Sequence, residues 1–424
     1  MKIAMFTNTY LPHIGGVARS VKTLEDECRK RGHEVKIIAP QSDTADESPD
    51  VFRVPAIQHF NGSDFSFRLP IPTLVRDFIE DFKPDIIHSH HPFLLGDAAI
   101  REAWKIRRPI VFTHHTLYER YTHYVPLDSD ALKRVAIQLA TEYCNLCSHV
   151  IAPSESIEHL LVERGVTVPI QAIPTGIETH TFASADGDSF RAHHGIPAEA
   201  VVIGHIGRLA EEKNLRFLAQ AAKEVLTNHP DAWFLLVGDG PEKETLLGPL
   251  GPDRVVAPGA LHGGDLAAAY AAMDVFLFAS QSETQGMVLA EAMAAGTPVV
   301  ALDGCGVREI MEHEANGLML PSDASTAEFS KAINRLIQDD GFRNRCAAGA
   351  SATASSYDLA VTTDAVISLY ETLVANAAWE KVEDLGPWDR LLNGIGVEWD
   401  LTVGKLSALA AVVSQTPATE AKID

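Results

Sequence analysis

Short runs of buried-type residues alternate with amphipathic segments along most of this 424-residue chain. Runs such as "EVKIIAP" have the length and β-branched content of buried strands, whereas "VARSVKTLEDECRKRG" has apolar residues at helical spacing. Strands that alternate with helices predict parallel sheets with helices on both faces. The strand-type runs are "KIAMFTN", "EVKIIAP", "PDIIHSH", "IVFTHH" and "HVIAPS" in the first half, and "VVIGHIG", "WFLLVGDG", "RVVAPG", "DVFLFAS" and "TPVVALDG" in the second.

The repeated pattern predicts two Rossmann-like domains in one α/β chain. A polar stretch rich in Gly, Pro and Ala, "IPTGIETHTFASADGDSFRAHHGIPAEA", joins them. We assign residues 1–180 to the first domain, 181–355 to the second and 356–424 to a C-terminal segment that begins with a helical pattern. Ligands of open α/β sheets bind at the carboxyl ends of the strands, so two facing domains predict an active site in the cleft between them.

The charge distribution argues against nucleic acid as a partner. The net charge is −22, and residues 181–424 hold 16 basic side chains against 34 acidic ones. Nucleic-acid binding depends on basic side chains that neutralise phosphates, and this surplus has the opposite sign. Residues 1–180, with 19 basic against 23 acidic side chains, are close to neutral, so a membrane surface is less strongly disfavoured.

The chain also lacks the sequence signals of secretion or membrane insertion. No apolar run approaches the roughly 18–20 residues that cross a bilayer. The start, "MKIAMFTNTYLPH", is typical of a buried first strand rather than a signal peptide. Five scattered cysteines fit a reducing compartment, and "YCNLC" lacks the second pair that a zinc site would need. We therefore expect a cytoplasmic protein.

Two carboxylates eight positions apart, Glu283 and Glu291, flank the start of a predicted helix in "SETQGMVLAEA". The amides of Gly286, Met287 and Val288 stand at this helix N-terminus, where an anion would bind. A carboxylate beside an anion site repels phosphate but accepts hydrogen bonds from hydroxyl groups. A diphosphate with hydroxyl groups on both sides is what a nucleotide sugar presents.

Two glycine-containing loops follow other predicted strands. Gly15 and Gly16 precede a helix, where the backbone can approach an anion closely, although a purely structural turn fits the pattern equally well. Gly238 and Gly240 flank Asp239 in "VGDGPEKETL", and Asp239 is predicted to be a turn or cap residue.

Two basic residues lie in "GRLAEEKN", just after the first strand of the second domain. Arg208 and Lys213 are five positions apart, and two fixed cations above a sheet edge suit a diphosphate. The alternative is an exposed pair that forms salt bridges with Glu211 and Glu212. The residue chemistry alone does not separate these interpretations.

Taken together, these motifs resemble the family 4 retaining glycosyltransferases of the GT-B fold, over roughly residues 1–375. The resemblance rests on the "GGV" loop, "GRLAEEKN", "GDGP", "AMAAGTPVVA" and "REIMEHEANGLMLP" in the family's order. "FTHHTLYERYTHYV" and "SETQG", where many relatives have Phe at position 285, are most similar to bacterial diacylglycerol glucosyltransferases. The resemblance implies two facing Rossmann-like domains and a C-terminal helix that crosses back to the first domain.

The resemblance also implies an activity. A hexose, glucose in the first instance, would be moved with retention from a UDP-linked donor to a hydroxyl acceptor, without a metal ion or other cofactor. A diacylglycerol-type lipid is the acceptor that the motifs favour, with peripheral contact to the inner face of the membrane. The alternatives are a soluble sugar, sugar phosphate or polyol acceptor, and a nucleotide-sugar-binding protein that no longer transfers.

Residue roles follow from the same resemblance. Glu283 would bind the donor sugar, Glu291 the ribose, and the two cations the leaving diphosphate, while a histidine before threonine would lie beside the reacting sugar. His90 is a further acceptor-side candidate. The predicted catalytic residues are His115, Arg208, Lys213 and Glu283; the donor-binding residues are Gly15, Gly16, Gly238, Thr284, Gln285, Gly286, Met287, Val288 and Glu291; and the acceptor-side residues are His91, Tyr118, Tyr121 and His123.

Three further features receive structural or membrane interpretations. Residues 101–126 are basic and aromatic, which suits a lipid headgroup region or an ordinary cleft rim. "LDSD", with Asp128 and Asp130, is predicted to cap a helix rather than to bind a metal. Trp379, Trp388 and Trp399 in the C-terminal extension are predicted to dock onto the folded body or to anchor at a membrane.

Overall fold

The computed structural model of the protein describes residues 1–12, 15–42, 48–57, 67–68, 72–119, 130–280 and 283–376. The chain divides into two compact units. Unit 1 is Met1–Ile173 together with the chain from Thr363, and unit 2 is Pro174–Thr362. The sequence predicts the first boundary after residue 180, whereas the division falls seven residues earlier, at the start of the stretch interpreted as a joint.

In unit 1, the described residues form a seven-stranded parallel sheet and a two-stranded antiparallel hairpin. The sheet order is β3-β2-β1-β6-β7-β8-β9. The strands are β1 Lys2–Phe6, β2 Glu34–Pro40, β3 Val51–Val54, β4 Ala56–Ile57, β5 Phe67–Arg68, β6 Ile86–Ser89, β7 Ile110–Thr113, β8 His149–Ala152 and β9 Ile170–Ala172. The helices are α1 Gly16–Lys30, α2 Pro72–Phe82, α3 Leu95–Ile106, α4 Asp130–Asn145 and α5 Glu155–Glu163.

In unit 2, the described residues form a six-stranded parallel sheet in the order β12-β11-β10-β13-β14-β15. The strands are β10 Val201–Ile206, β11 Ala232–Val237, β12 Val255–Gly259, β13 Val275–Phe278, β14 Val299–Leu302 and β15 Gly317–Leu320. The helices are α6 Thr179–Ala183, α7 Gly187–His193, α8 Leu215–Asn228, α9 Lys243–Leu250, α10 Gly263–Ala271, α11 Met287–Ala294, α12 Thr326–Gln338 and α13 Asp340–Ala354.

The last described helix, α14 Leu359–Asn376, returns the chain to unit 1. Its residues Val366, Ile367, Leu369 and Tyr370 belong to the same buried cluster as residues of β1 and β2. This packing explains why the sequence from residue 359 has helical spacing with many apolar positions. The three tryptophans of the C-terminal extension lie outside the described residues.

Both sheets bury both faces. In β1, Ile3 and Met5 enter one core cluster while Ala4 and Phe6 enter another. A strand buried on both faces carries a continuous apolar run rather than an alternating one, as parallel sheets require. The predicted α/β fold with two parallel sheets is confirmed. Among the described residues, no helix is both long enough and apolar enough to span a bilayer.

Each sheet reverses its strand order beside its first strand. In unit 1 the reversal lies between β1 and β6, and in unit 2 between β10 and β13. Because neighbouring parallel strands diverge into loops there, the carboxyl ends at this point form a crevice in which ligands bind. The segments that follow these four strands carry many of the candidate functional residues, while His115 and Gly238 follow the neighbouring strands β7 and β11.

Candidate active site

The loops after β10 and β11 in unit 2 are packed backbone to backbone. The Leu209 N–H donates to the Asp239 carbonyl at 3.0 Å. Gly238 has φ +138°, and a Cβ at this position would lie 1.9 Å from the Gly207 carbonyl oxygen. No other residue type fits here, so Gly238 has a structural reason to be glycine. The packing fixes the backbone around Arg208, whose side chain is exposed.

Lys213 contacts Glu283. Lys213 ends a short 3₁₀ turn that begins at Glu211, and its ammonium group donates to Oε1 of Glu283, seventy residues along the chain. The hydroxyl of Ser280 donates to the same oxygen at 3.0 Å. Lys213 is thus paired with Glu283 rather than with either neighbouring glutamate. The Lys213 ammonium and the Glu283 carboxylate, which the sequence assigned to one site, therefore lie together after the adjacent strands β10 and β13.

Helix α11 begins at a tightly packed pair of glycines. Gly286, its N-cap, has φ +70°, and Gly306 has φ +71°. A Cβ on Gly286 would lie 2.7 Å from the Gly306 carbonyl oxygen, and one on Gly306 would lie 2.5 Å from the Gln285 nitrogen. The first turn of α11 contains no acidic side chain. Its first amides therefore begin the helix without i−4 partners and without an acidic side chain in the same turn, as an anion site requires.

Glu291 lies further along α11 and is 6% exposed. Its Oε2 accepts a hydrogen bond from the Tyr270 hydroxyl at 2.8 Å. A buried carboxylate needs such a donor because desolvation would otherwise disfavour its charged form. Sequence reasoning missed Tyr270, since nothing in its local sequence connects it with a residue 21 positions later.

The amide group of Gln285 forms two hydrogen bonds with the backbone of Thr175. Its Nε2 donates to the Thr175 carbonyl at 2.8 Å, and its Oε1 accepts from the Thr175 N–H at 2.9 Å. These bonds hold the start of unit 2 against the loop that carries Thr284 and Glu283. The amide group that the sequence places among the donor-binding residues thus has a structural role as well.

His205 is a second feature that sequence reasoning missed. It lies in β10, is 1% exposed, and donates from Nδ1 to the Leu277 carbonyl at 3.0 Å. Its Nε2 is buried and has no hydrogen-bond partner among the described residues. Burial lowers the pKa of His205 to about 4, with Lys213 contributing in the same direction. A neutral imidazole therefore lies near both Lys213 and Glu283.

In unit 1, the loop after β1 leads into the glycines at the start of α1. Gly15 is the N-cap in an extended conformation, and the first turn of α1 contains no acidic residue. A Cβ on Gly16 would meet no atom within 4 Å, so nothing in the fold itself requires glycine there. Upstream, the Tyr10 hydroxyl bonds to buried Glu25, and Arg53 Nη2 donates to the Leu11 carbonyl at 2.7 Å.

The ends of β6 and β7 carry a group of histidines. His90 Nδ1 and His115 Nε2 are 3.0 Å apart, and the rings of His88 and His90 pack with centroids 4.0 Å apart. His88 is bonded at both nitrogens, to the Tyr370 hydroxyl and, at 2.7 Å, to Thr113 Oγ1. The structure thus brings His115 together with His90.

Burial keeps this group uncharged. It lowers the pKa of His88 to about 3 and that of His114 to about 4. Burial together with the neighbouring histidines holds the pKa values of His90 and His115 well below the ordinary range. Near neutral pH these side chains can act as hydrogen-bond donors and acceptors, but not as cations.

The predicted acceptor-side residues have separate environments. His91 Nδ1 accepts from the Asn8 N–H at 3.1 Å, which ties the β6 and β1 loops together. The Tyr118 ring packs edge-on against Phe93 and His114, and its hydroxyl is buried without a partner among the described residues. Tyr121 and His123 lie outside the described residues, as does Asp128.

The basic and aromatic region predicted over residues 101–126 is not one surface within its described part. Trp104 is 38% exposed near the end of α3, whereas Phe112 is fully buried in β7. Because α3 begins after β6 and ends before β7, Trp104 lies near the opposite edge of the sheet from His115. Exposed Lys105 and Arg108 flank it.

Two family models match the chain. Glycosyltransferase Family 4 covers residues 14–181, and Glycosyl transferases group 1 covers residues 186–353. An alpha-monoglucosyldiacylglycerol synthase of Streptococcus pneumoniae is 31% identical over 312 residues, which are 71% of this chain and 71% of the relative. The chain belongs to glycosyltransferase family 4. It is therefore an enzyme that transfers a sugar.

Two further similarities bear on fold and length. A GDP-mannose-dependent alpha-mannosyltransferase of Mycolicibacterium smegmatis is 29% identical over 383 residues, covering 88% of this chain and 98% of the relative. The solved structure of Anabaena HepE in complex with UDP is similar with a TM-score of 0.71 and 22% identity, covering 88% of this chain and 100% of that one. The family 4 chain thus has the GT-B fold, as the sequence predicts.

Proposed function

We propose that this family 4 enzyme is a retaining, metal-independent hexosyltransferase that moves glucose from UDP-glucose to a hydroxyl group of a diacylglycerol-type lipid. The observation that carries the proposal is the contact between Lys213 and Glu283 at the carboxyl ends of β10 and β13. A cation and a carboxylate held beside a helix N-terminus match a ligand that presents a diphosphate and sugar hydroxyl groups side by side.

The donor diphosphate would be held by charge and by backbone amides. Lys213 has three N–H donors, so it can keep Glu283 as a partner while it binds a phosphate oxygen. The first amides of α11 add the positive end of a helix dipole. With exposed Arg208, these groups supply the charge neutralisation that a divalent cation supplies elsewhere, which supports metal independence.

The two glutamates are arranged to orient hydroxyl groups rather than to attack. Glu283 is engaged by Lys213 and Ser280, and Glu291 by Tyr270. A double displacement would need a carboxylate nucleophile on the face opposite the leaving group. In the proposed step the acceptor oxygen instead attacks the anomeric carbon on the face that the diphosphate leaves. The bond between the anomeric carbon and the phosphate oxygen breaks, and the proton of the acceptor hydroxyl passes to the departing phosphate. Lys213 and Arg208 stabilise the negative charge of that phosphate.

The choice of glucose and of a lipid acceptor is supported by the similarity to the Streptococcus pneumoniae synthase. The full-length similarity to a GDP-mannose-dependent enzyme makes mannose the donor sugar to test against it. A lipid acceptor also requires contact with a membrane surface. We assign this peripheral contact to the exposed Trp104, Lys105 and Arg108, a combination suited to headgroups. Because these residues lie near the opposite edge of the sheet from His115, the contact would hold the enzyme at the membrane rather than present the acceptor to the site.

The test supplies the purified enzyme with UDP-glucose or GDP-mannose and one of four acceptors: diacylglycerol in mixed micelles, glucose, a sugar phosphate, or inositol. We expect an α-linked glucolipid, formed equally well in the presence of EDTA. A mannosylated product would overturn the donor assignment, and a product only from a soluble acceptor would overturn the lipid assignment. Binding of a donor without transfer or slow hydrolysis would favour the non-catalytic alternative.

Membrane contact is tested separately by flotation on vesicles with and without anionic lipid. The wild-type enzyme is expected to float with the vesicles, and Trp104→Ser is expected to reduce that fraction. Val162→Ser, which changes another exposed apolar side chain of unit 1, is the matched control. Absence of the wild-type enzyme from all vesicle fractions would remove the proposed contact.

A further inference from the structure

His90 lies between two other histidines at the carboxyl ends of β6 and β7. On one side its ring packs against His88, which is immobilised by hydrogen bonds at both nitrogens. On the other side its Nδ1 is 3.0 Å from Nε2 of His115, with the two rings nearly parallel. His90 is 1% exposed, so this geometry is fixed by the interior of unit 1 and not by solvent.

A contact between two imidazole nitrogens needs one hydrogen atom, and its position decides the tautomers of both rings. If His90 donates from Nδ1, then Nε2 of His115 is a bare acceptor and His115 carries its hydrogen on Nδ1. If His115 donates from Nε2, then His90 carries its hydrogen on Nε2. A cationic ring would leave both options open, but burial and the neighbouring histidines keep both rings neutral.

The surroundings of His90 Nε2 distinguish the two arrangements. This atom is buried and has no hydrogen-bond partner among the described residues. The second arrangement would place an N–H group there with no acceptor, and orphaned buried N–H groups are rarer than under-satisfied acceptors. The first arrangement leaves only a lone pair at that position. At His90 Nε2 the first arrangement is therefore the less costly one.

We propose that His90 is a positioning residue that donates from Nδ1 to His115 Nε2 and so holds His115 as the tautomer with its hydrogen on Nδ1. Given the proposed function, in which His115 lies beside the reacting sugar, this hydrogen bond fixes the ring orientation and the tautomer in which His115 meets the substrate. His90 itself acts only through His115.

The tautomer can be measured without any substrate, from nitrogen-15 NMR of the imidazole rings of histidine-labelled enzyme. The His115 signals are assigned by their loss in His115→Gln. We expect a protonated Nδ1 and a bare Nε2 at His115 in the wild type, and a shift toward the other tautomer in His90→Phe. His90→Asn, whose amide can donate from nearly the same position, is expected to keep the wild-type pattern.

His149→Phe is the matched control, because this histidine lies in the same sheet at the start of β8 and also has a buried nitrogen without a partner among the described residues. It is expected to leave the His115 signals unchanged. A wild-type His115 with its hydrogen on Nε2, or with equal tautomers, overturns the proposal. The wild-type spectrum decides this even if His90→Phe does not fold.

Transfer kinetics give the functional arm. His90→Phe is expected to lower kcat by about tenfold or more, and His90→Asn to restore it to within about threefold of the wild type. Equal losses in both variants would show a purely structural role and overturn the assignment. If the NMR result stands but no donor and acceptor pair reacts, the tautomer inference survives while the proposed function fails.

Discussion

The two units place different chemistry at the same topological position. Beside the first strand of its sheet, unit 2 holds a lysine in contact with a glutamate, and both side chains are 20% exposed. Unit 1 holds neutral imidazoles and a pair of glycines, with His88 and His90 each 1% exposed. The carboxyl edge of the sheet in unit 2 carries charged side chains, whereas the same edge in unit 1 carries uncharged hydrogen-bonding groups.

This difference shows how a common strand order supports separate tasks. Charges must keep either a partner or water, because isolated buried charges are costly. Lys213 and Glu283 satisfy each other until a ligand arrives. Imidazoles tolerate full burial by losing their proton, and they retain directional donors and acceptors. Unit 2 is therefore suited to bind an anion, and unit 1 to orient uncharged hydroxyl groups. The predictions below test this division of tasks.

The largest expected effect comes from Lys213→Ala. It removes the cation that would stabilise the departing diphosphate, so kcat should fall by about 100- to 1000-fold, or about 3–4 kcal/mol. The melting temperature should also fall, because Glu283 is mostly buried and would lose its cation while keeping only the hydrogen bond from Ser280. Steady-state kinetics and thermal unfolding measure the two effects. Arg335→Ala, which breaks a surface pair with Glu314 in the same unit, is the control. Near-wild-type turnover by Lys213→Ala would contradict the assigned role.

The second prediction concerns pH. The unfolded chain protonates its histidines below about pH 6.5, whereas folded unit 1 holds four of its described histidines neutral to much lower pH. The unfolded state thus binds more protons in this window, and stability falls as pH decreases, by up to about 1.4 kcal/mol per pH unit for each such group. Lowering the pH from 7 to 6 should cost unit 1 about 3 kcal/mol.

Calorimetry combined with limited proteolysis measures this effect. Unit 1 should become cleavable before unit 2, in which His205 is the one described histidine with a comparably large shift. Cleavage of unit 2 before unit 1, or of both units at the same pH, would contradict the contrast between the two sheet edges. The variants His90→Phe and His115→Phe should each reduce the pH dependence of the stability of unit 1, because each removes one of these histidines.

The sequence predicts the interior strands of the two large sheets but only one of their four edge strands. The interior strands are mostly buried apolar runs, and β12 is the edge strand that is also predicted. The edge strands β3, β9 and β15 are not predicted, and at least two residues of each are only partly buried. Their strand conformation depends on a neighbouring strand that the local sequence does not encode.

The candidate site divides in the same way. Groups that bear charge or glycine motifs, such as Lys213, Glu283 and Gly286, can be named from sequence because phosphate and sugar chemistry need those residue types. The residues that hydrogen-bond to these groups and hold them in place cannot be named from the sequence. Thr175 is 110 residues from Gln285, and Tyr270 supports Glu291 from another helix. No local pattern marks such pairs, since only the fold brings them together.

The third prediction separates two glycines. Gly238→Ala forces φ +138° on a residue with a Cβ and drives that atom into the Gly207 carbonyl, so unit 2 should lose about 2 kcal/mol or more of stability. Gly16→Ala meets open space and should leave the free energy of unfolding within about 0.5 kcal/mol. It should nevertheless raise the donor KM by about tenfold or more if this loop binds an anion, because the added methyl group would block close approach to the backbone.

Denaturant unfolding and donor titration distinguish these outcomes. Gly195→Ala, at a glycine of φ +71° in unit 2 with no atom within 4 Å of a built Cβ, shows the cost of a left-handed backbone without a steric clash. An unchanged donor KM in Gly16→Ala would remove unit 1 from phosphate binding. The contrast between the units would then extend to the phosphate itself.

The smallest expected effect is that of Tyr270→Phe. The hydroxyl donates to Glu291, so its loss leaves a buried carboxylate with one fewer donor, at a cost of about 1–2 kcal/mol. If Glu291 binds the donor ribose, the donor KM should rise by about three- to tenfold while kcat stays within about twofold, because the ribose is remote from the reacting carbon. Ser330→Ala removes another buried hydroxyl of unit 2, away from these loops, and should lower stability without moving KM. A fall in kcat instead of a rise in KM would place Glu291 at the sugar, so Glu283 before α11 and Glu291 within it would both bind the sugar.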